Sequence, residues 1–145
     1  MVTSKQCLEK YGEPDIQFER KWMTLFIVPQ DLGVKLLPLP RRIYCNKDMV
    51  TPLGTALHNL IRRGCNEELR TWDGCFNIRA KKLNPKVLSL HSWGIAVDVN
   101  AAWNQLRKPP TLTLGFVGCW KDAGFSWGGD WKIAKDGMHF QLSEI

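Results

Sequence analysis

The chain has 145 residues, 44% hydrophobic and 23% charged, the size and balance of one folded domain. Twenty Lys and Arg against fourteen Asp and Glu give a net charge of +6, which favours anionic partners without naming one. No apolar stretch approaches the ~20 residues of a membrane span, and five cysteines with no C-x-x-C pair argue against a disulfide framework or a four-cysteine zinc site.

The opening MVTSKQCLEKYGEP is polar and has no apolar h-region, so the expectation is synthesis without a secretory signal peptide and residence in the cytoplasm. Residues 1–43 contain Pro14, Pro29, Pro38 and Pro40 and the run LLPLP, which cannot form a regular helix. They read as an extended arm, with one short helix near 17–24, packing on a motif-bearing core of residues 44–145 within a single domain.

Leu53, Ala56, Leu57, Leu60 and Ile61 lie on one face of a helix over 52–63, with Thr51 as N-cap, Pro52 at the first helical position and Gly64 beyond its end. His58 sits beside that face and reads as structural or exposed. TWDGCFNIR, residues 71–79, reads as a strand. Residues 74–90 carry Arg79, Lys81, Lys82 and Lys86 and no acid. That run is either a solvated loop or a positive approach for a carboxylate-bearing substrate. Ile95, Val97 and Val99 alternate with Ala96, Asp98 and Asn100, a strand with two unlike faces. Pro109 and Pro110 break the chain. Phe116, Val117, Trp120 and Ala123 suggest a helix closed by Gly124, FSWGG a short strand and turn, and Met138, Phe140 and Leu142 a last strand. The fold class is α+β, two or three helices against a small antiparallel sheet.

The chain has three histidines, and two lie in these strand contexts. If the strands 95–99 and 138–142 are neighbours, Asp98 and His139 project from one sheet face. Ala96 leaves room above it, and His91 can fold over as a third ligand. A His-Asp-His set with an open fourth position suits a catalytic zinc; on spacing alone, satisfied structural residues are the alternative. Asp136 is too close to His139 for an easy second ligand and stands where a general base would. Arg79 suits a substrate carboxylate or an oxyanion.

SLHSWGIAVDVN followed by GFSWGGDWKIAKDGMHFQL resembles the VanY-like family of zinc D-Ala-D-Ala carboxypeptidases and L-Ala-D-Glu endopeptidases. Its S-x-H-x-x-G-x-A-x-D motif corresponds to Ser89, His91, Gly94, Ala96 and Asp98. Its D-x-M-H-F stretch corresponds to Asp136, Met138, His139 and Phe140, and its G-x-x-N-x-R element to Gly74, Asn77 and Arg79. The resemblance runs from about residue 44 to the C-terminus. It implies that His91, Asp98 and His139 bind Zn2+, that Asp136 is the catalytic acid/base, and that Arg79 and Ser89 line the substrate site. The family often has glutamate where this chain has Gln141, which puts a hydrogen bond behind His139 in doubt. Of Trp93, Trp127 and Trp131, each of which suits either core or groove, Trp131 is favoured as a groove residue. Trp127 and Trp131 flank Gly128-Gly129, a turn suited to close backbone approach to a ligand.

The implied function is a zinc peptidase acting on peptidoglycan stem peptides, a phage-type endolysin cutting L-Ala-D-Glu, monomeric, with no nucleic-acid partner. A D-Ala-D-Ala carboxypeptidase is the alternative within that class. An inactive zinc-bearing wall-binding module is the alternative outside it, and a basic nucleic-acid binder is disfavoured because no such motif is present.

Overall fold

In the computed structural model, which describes residues 1–145, five helices and eight short strands form an α+β chain. Residues 1–43 are not an extended arm. They form helix α1 (Ser4–Tyr11), helix α2 (Ile16–Trp22), strand β1 (Met23–Ile27) and the single turn α3 (Gln30–Gly33). Local capping explains the difference. Thr3 accepts the Gln6 amide while the Gln6 side chain accepts the Thr3 amide, a reciprocal pair that nucleates α1. Asp15 accepts the Phe18 amide at 2.9 Å and starts α2. All four prolines fall outside helix interiors. The segment is also part of the core, to which it gives Val2, Cys7, Tyr11, Phe18, Met23 and Val28.

Strand β2 (Arg42–Asn46) pairs antiparallel with β1. Asn46 at its end donates to the Trp93 carbonyl at 3.0 Å and accepts the Asp48 amide at 3.0 Å. The turn it caps, Lys47–Met49, runs into helix α4 (Val50–Arg62). That continuity is why α4 starts before the expected Thr51 cap and has no side-chain cap of its own. Leu53, Ala56, Leu57 and Leu60 are buried as the spacing requires, and Gly64 lies beyond the end with φ 68°. His58 is exposed, its Nδ1 2.8 Å from the Gly54 carbonyl.

The expected strand over 71–79 is shorter: β3 (Trp72–Gly74), then a hairpin of β4 (Ala80–Lys81) and β5 (Asn84–Leu88). Strand β6 (Ala96–Val99), helix α5 (Leu114–Lys121), strand β7 (Phe125–Trp127) and strand β8 (His139–Leu142) complete the chain. The main sheet is antiparallel in the order β3-β6-β8-β7. Phe140 on β8 stacks on Trp120 of α5 at 4.9 Å and meets Phe116 at 6.4 Å. Helix α5 therefore covers the Phe140 face of the sheet and leaves the opposite face for the site. No helix is long and apolar enough to cross a membrane.

Candidate active site

The register of β6 and β8 sets Asp98 opposite His139, Val97 opposite Phe140 and Ala96 opposite Gln141. Residues directly opposed in an antiparallel pair share a face, and successive residues alternate. Asp98, His139, Ala96 and Gln141 thus share the face away from α5. His91 arrives from the turn Leu90–Trp93, which Gly94 closes with φ 65°. A Cβ on Gly94 would lie 2.8 Å from the Met23 side chain and 2.9 Å from the Asn46 amide nitrogen. Only glycine gives both that conformation and that approach, and it folds the turn so that His91 lies over the sheet.

Three atoms converge there. His91 Nε2, His139 Nδ1 and Asp98 Oδ1 lie 3.2 Å from one another in all three pairs. The opposite nitrogen of each imidazole is already engaged. His91 Nδ1 donates to the Cys75 carbonyl at 2.7 Å. Gln141 Nε2 donates to the Val2 carbonyl at 3.1 Å, which turns Gln141 Oε1 toward His139 Nε2 at 3.2 Å as an acceptor. Both imidazoles thereby direct a lone pair inward beside a carboxylate oxygen. Zinc bonds of about 2.0–2.1 Å set tetrahedrally put neighbouring ligand atoms about 3.3 Å apart, so this triangle fits three ligands of one zinc ion. The cysteines are thiols outside the cluster, with Cys7, Cys45, Cys75 and Cys119 buried.

Burial pushes the Asp98 carboxyl up; in the metal-free site, protonation of His139 and His91 would make both of them hydrogen-bond donors and positive charges that outweigh it and hold the group well below the usual carboxylate range. The Arg79 guanidinium lies 3.6 Å from Asp98 Oδ2. Arg79 is fixed at its backbone, where its amide donates to Ser92 Oγ at 3.1 Å and its carbonyl accepts the Ser89 amide at 2.9 Å.

Asp136 lies in the loop before β8. Its amide donates to the Gly128 carbonyl at 3.0 Å, and its carbonyl accepts the His139 amide at 3.2 Å. A Cβ on Gly128 would collide with the Asp136 carbonyl. The close approach at Gly128 therefore serves the backbone that carries Asp136, and that at Gly129 makes room for the Trp127 ring. Asp136 Oδ1 is buried with no hydrogen-bond partner. Burial raises the Asp136 carboxyl, the Asp98 charge adds to the rise, and His139 opposes it.

A cavity of about 560 Å³ opens over the cluster, lined by His91, Asp98, His139, Asp136, Arg79, Ser89, Trp131 and Gln141 among others. All eight candidate residues thus meet at one cavity. Trp131 lies with its ring 5.4 Å from His139. Trp93 and Trp127 are core residues instead, donating to the Gly12 and Gly137 carbonyls, each at 2.8 Å. Sequence reasoning missed Cys75, Ser92 and the wall formed by Met1, Val2 and Thr3. Cys75 acts through its carbonyl, which no side-chain pattern reveals. The other contacts join segments distant in the chain.

No solved structure matches this chain. Residues 83–142 match the family model described as D-alanyl-D-alanine carboxypeptidase. That stretch contains His91, Asp98, Asp136 and His139; Arg79 and the rest of the upstream element lie outside it. The segment that carries the converging ligands is therefore similar to that family.

Proposed function

We propose that this protein is a zinc-dependent hydrolase of peptidoglycan stem peptides that cuts the L-Ala-D-Glu bond, in the manner of a phage-type endolysin. The observation that carries this reading is the triangle of inward-facing lone pairs beside the unpartnered carboxylate oxygen of Asp136. His91, Asp98 and His139 would hold the ion. When bound, zinc supplies Lewis acidity and brings the pKa of water at its open position to about 7.

The chain's own groups do the rest. Asp136 takes a proton from the attacking water at its free Oδ1 and returns it to the departing amine as the C–N bond breaks. A raised carboxyl suits both halves of that transfer. Arg79 faces the cavity with a part-exposed guanidinium, placed to meet a substrate carboxylate or a developing oxyanion. Trp131 walls the peptide path beside His139. The cavity's surplus of cations suits the free carboxylate of D-Glu at that cut and suits the carboxylate of a terminal D-Ala equally. The name of the matched family favours a second reading, removal of terminal D-Ala.

The test is peptidoglycan digestion by zinc-loaded protein with mass spectrometry of the fragments, and Asp136→Ala as control. New D-Glu amino termini are the expected product, reduced about 10²–10⁴-fold in the variant. Loss of D-Ala alone would assign the carboxypeptidase. No fragments from any wall type would leave a zinc-bearing binding module.

A further inference from the structure

Four cationic side chains line the cavity, Arg79, Lys81, Lys82 and Lys132, against two acids, Asp98 and Asp136. Both acids belong to the site already described, and Arg79 faces one of them. The three lysines take part in none of the ion pairs of the fold. Lys81 ends β4 and Lys82 begins the turn to β5, whereas Lys132 comes from the loop that also carries Asp136. Two segments far apart in sequence thus bring unpaired ammonium groups to one cavity, which a merely solvated lysine run does not require. Lys82 lies close enough to Asp136 to counter the rise in its carboxyl. Lys86 is on the same hairpin but does not line the cavity.

We infer that Lys81, Lys82 and Lys132 form a specificity rim that reads a second carboxylate on the substrate, so that the protein selects stem peptides whose third residue ends in a carboxylate, of the diaminopimelate type, over those whose third residue is lysine. This inference rests on the peptidase reading above. A diaminopimelate residue presents a carboxylate beside its ammonium to the rim, and a lysine residue in its place presents the ammonium alone, which three lysines repel with no carboxylate to offset it. Exposed pairs of this kind are individually weak and screened by salt, so the preference is moderate at low ionic strength and shrinks as salt rises.

The experiment compares L-Ala-γ-D-Glu-X peptides with X as meso-diaminopimelate or L-lysine. The proteins are the zinc-loaded chain, a Lys81→Glu/Lys82→Glu double variant and a Lys86→Glu control, at low and high salt. Binding of both peptides to Asp136→Ala protein, read by tryptophan fluorescence, gives a second measurement that does not need turnover. All the altered lysines are exposed, so the variants keep the fold. The expected result is about a tenfold preference for the diaminopimelate peptide, mostly in KM. The double reversal abolishes or inverts it, Lys86→Glu leaves it intact, and high salt weakens it. Equal kcat/KM for the two peptides, or a preference the double reversal does not move, overturns the inference while leaving the peptidase reading standing. Selective binding without hydrolysis of either peptide supports the rim and sinks the peptidase reading. Neither binding nor hydrolysis overturns both.

Discussion

At the residue scale, Gln141 illustrates why a departure from a family's usual glutamate need not cost a hydrogen bond. Its side chain must accept from His139 Nε2 and donate to the Val2 carbonyl at once. An amide does both; an ionised carboxylate can only accept and would face the carbonyl oxygen of Val2. Asp136 carries the residue-scale prediction. Its carboxyl is raised by burial, so the folded state favours the protonated form. That contribution to stability is fully present below the unfolded value of about 3.9 and is lost as pH rises through the higher folded value. Asp136→Asn removes the charged form. It is expected to raise the thermal midpoint of the metal-free protein at neutral pH but not at low pH, and to abolish turnover. Thermal melts of both proteins across pH check this; a variant less stable than wild type at neutral pH would contradict the account of the buried carboxylate.

At the element scale, the site depends on how a hairpin holds a turn. The Asn46 amide donates to the Gly94 carbonyl and the Asn46 side chain to the Trp93 carbonyl, each at 3.0 Å, so the end of β2 clamps the turn that presents His91. Gly94→Ala introduces a side chain at φ 65° against Met23 and Asn46. Strain and overpacking together are expected to cost about 2–4 kcal/mol. The turn should also relax away from the sheet, so zinc affinity measured by chelator competition should fall with stability. Unchanged affinity in a folded variant would mean that the clamp does not position His91.

For the whole molecule, the site is assembled from the Leu90–Trp93 turn, β6, β8 and the loop before it, with residues 1–3 as a wall. Filling a ligand triangle that ties these parts together should stabilise all of them. Zinc present at about a thousand times its Kd contributes about 4 kcal/mol, which for a chain of this size raises the thermal midpoint by about 10 °C. Chelation should reverse that shift, and His139→Ala should remove it. A midpoint indifferent to zinc in the wild-type protein would mean that the triangle holds no ion.

The sequence by itself determined the elements whose cues are local. The apolar face of α4 follows from a helical repeat, and the shared face of Asp98 and His139 from the two-residue alternation of strands. The motif residues around His91 and Asp136 could be read for the same reason, since each motif lies within a few positions of one turn or strand. The local caps of Thr3 and Asp15 were equally present in the sequence, yet four prolines masked them and residues 1–43 read as an arm. Only the tertiary structure decided the rest. Cys75 orients His91 through a backbone carbonyl, Val2 sets which end of Gln141 meets His139, and Lys132 joins Lys81 and Lys82 at one cavity. Each of these joins segments far apart in the chain, and the distance between them is set by packing of the core, which no local pattern records.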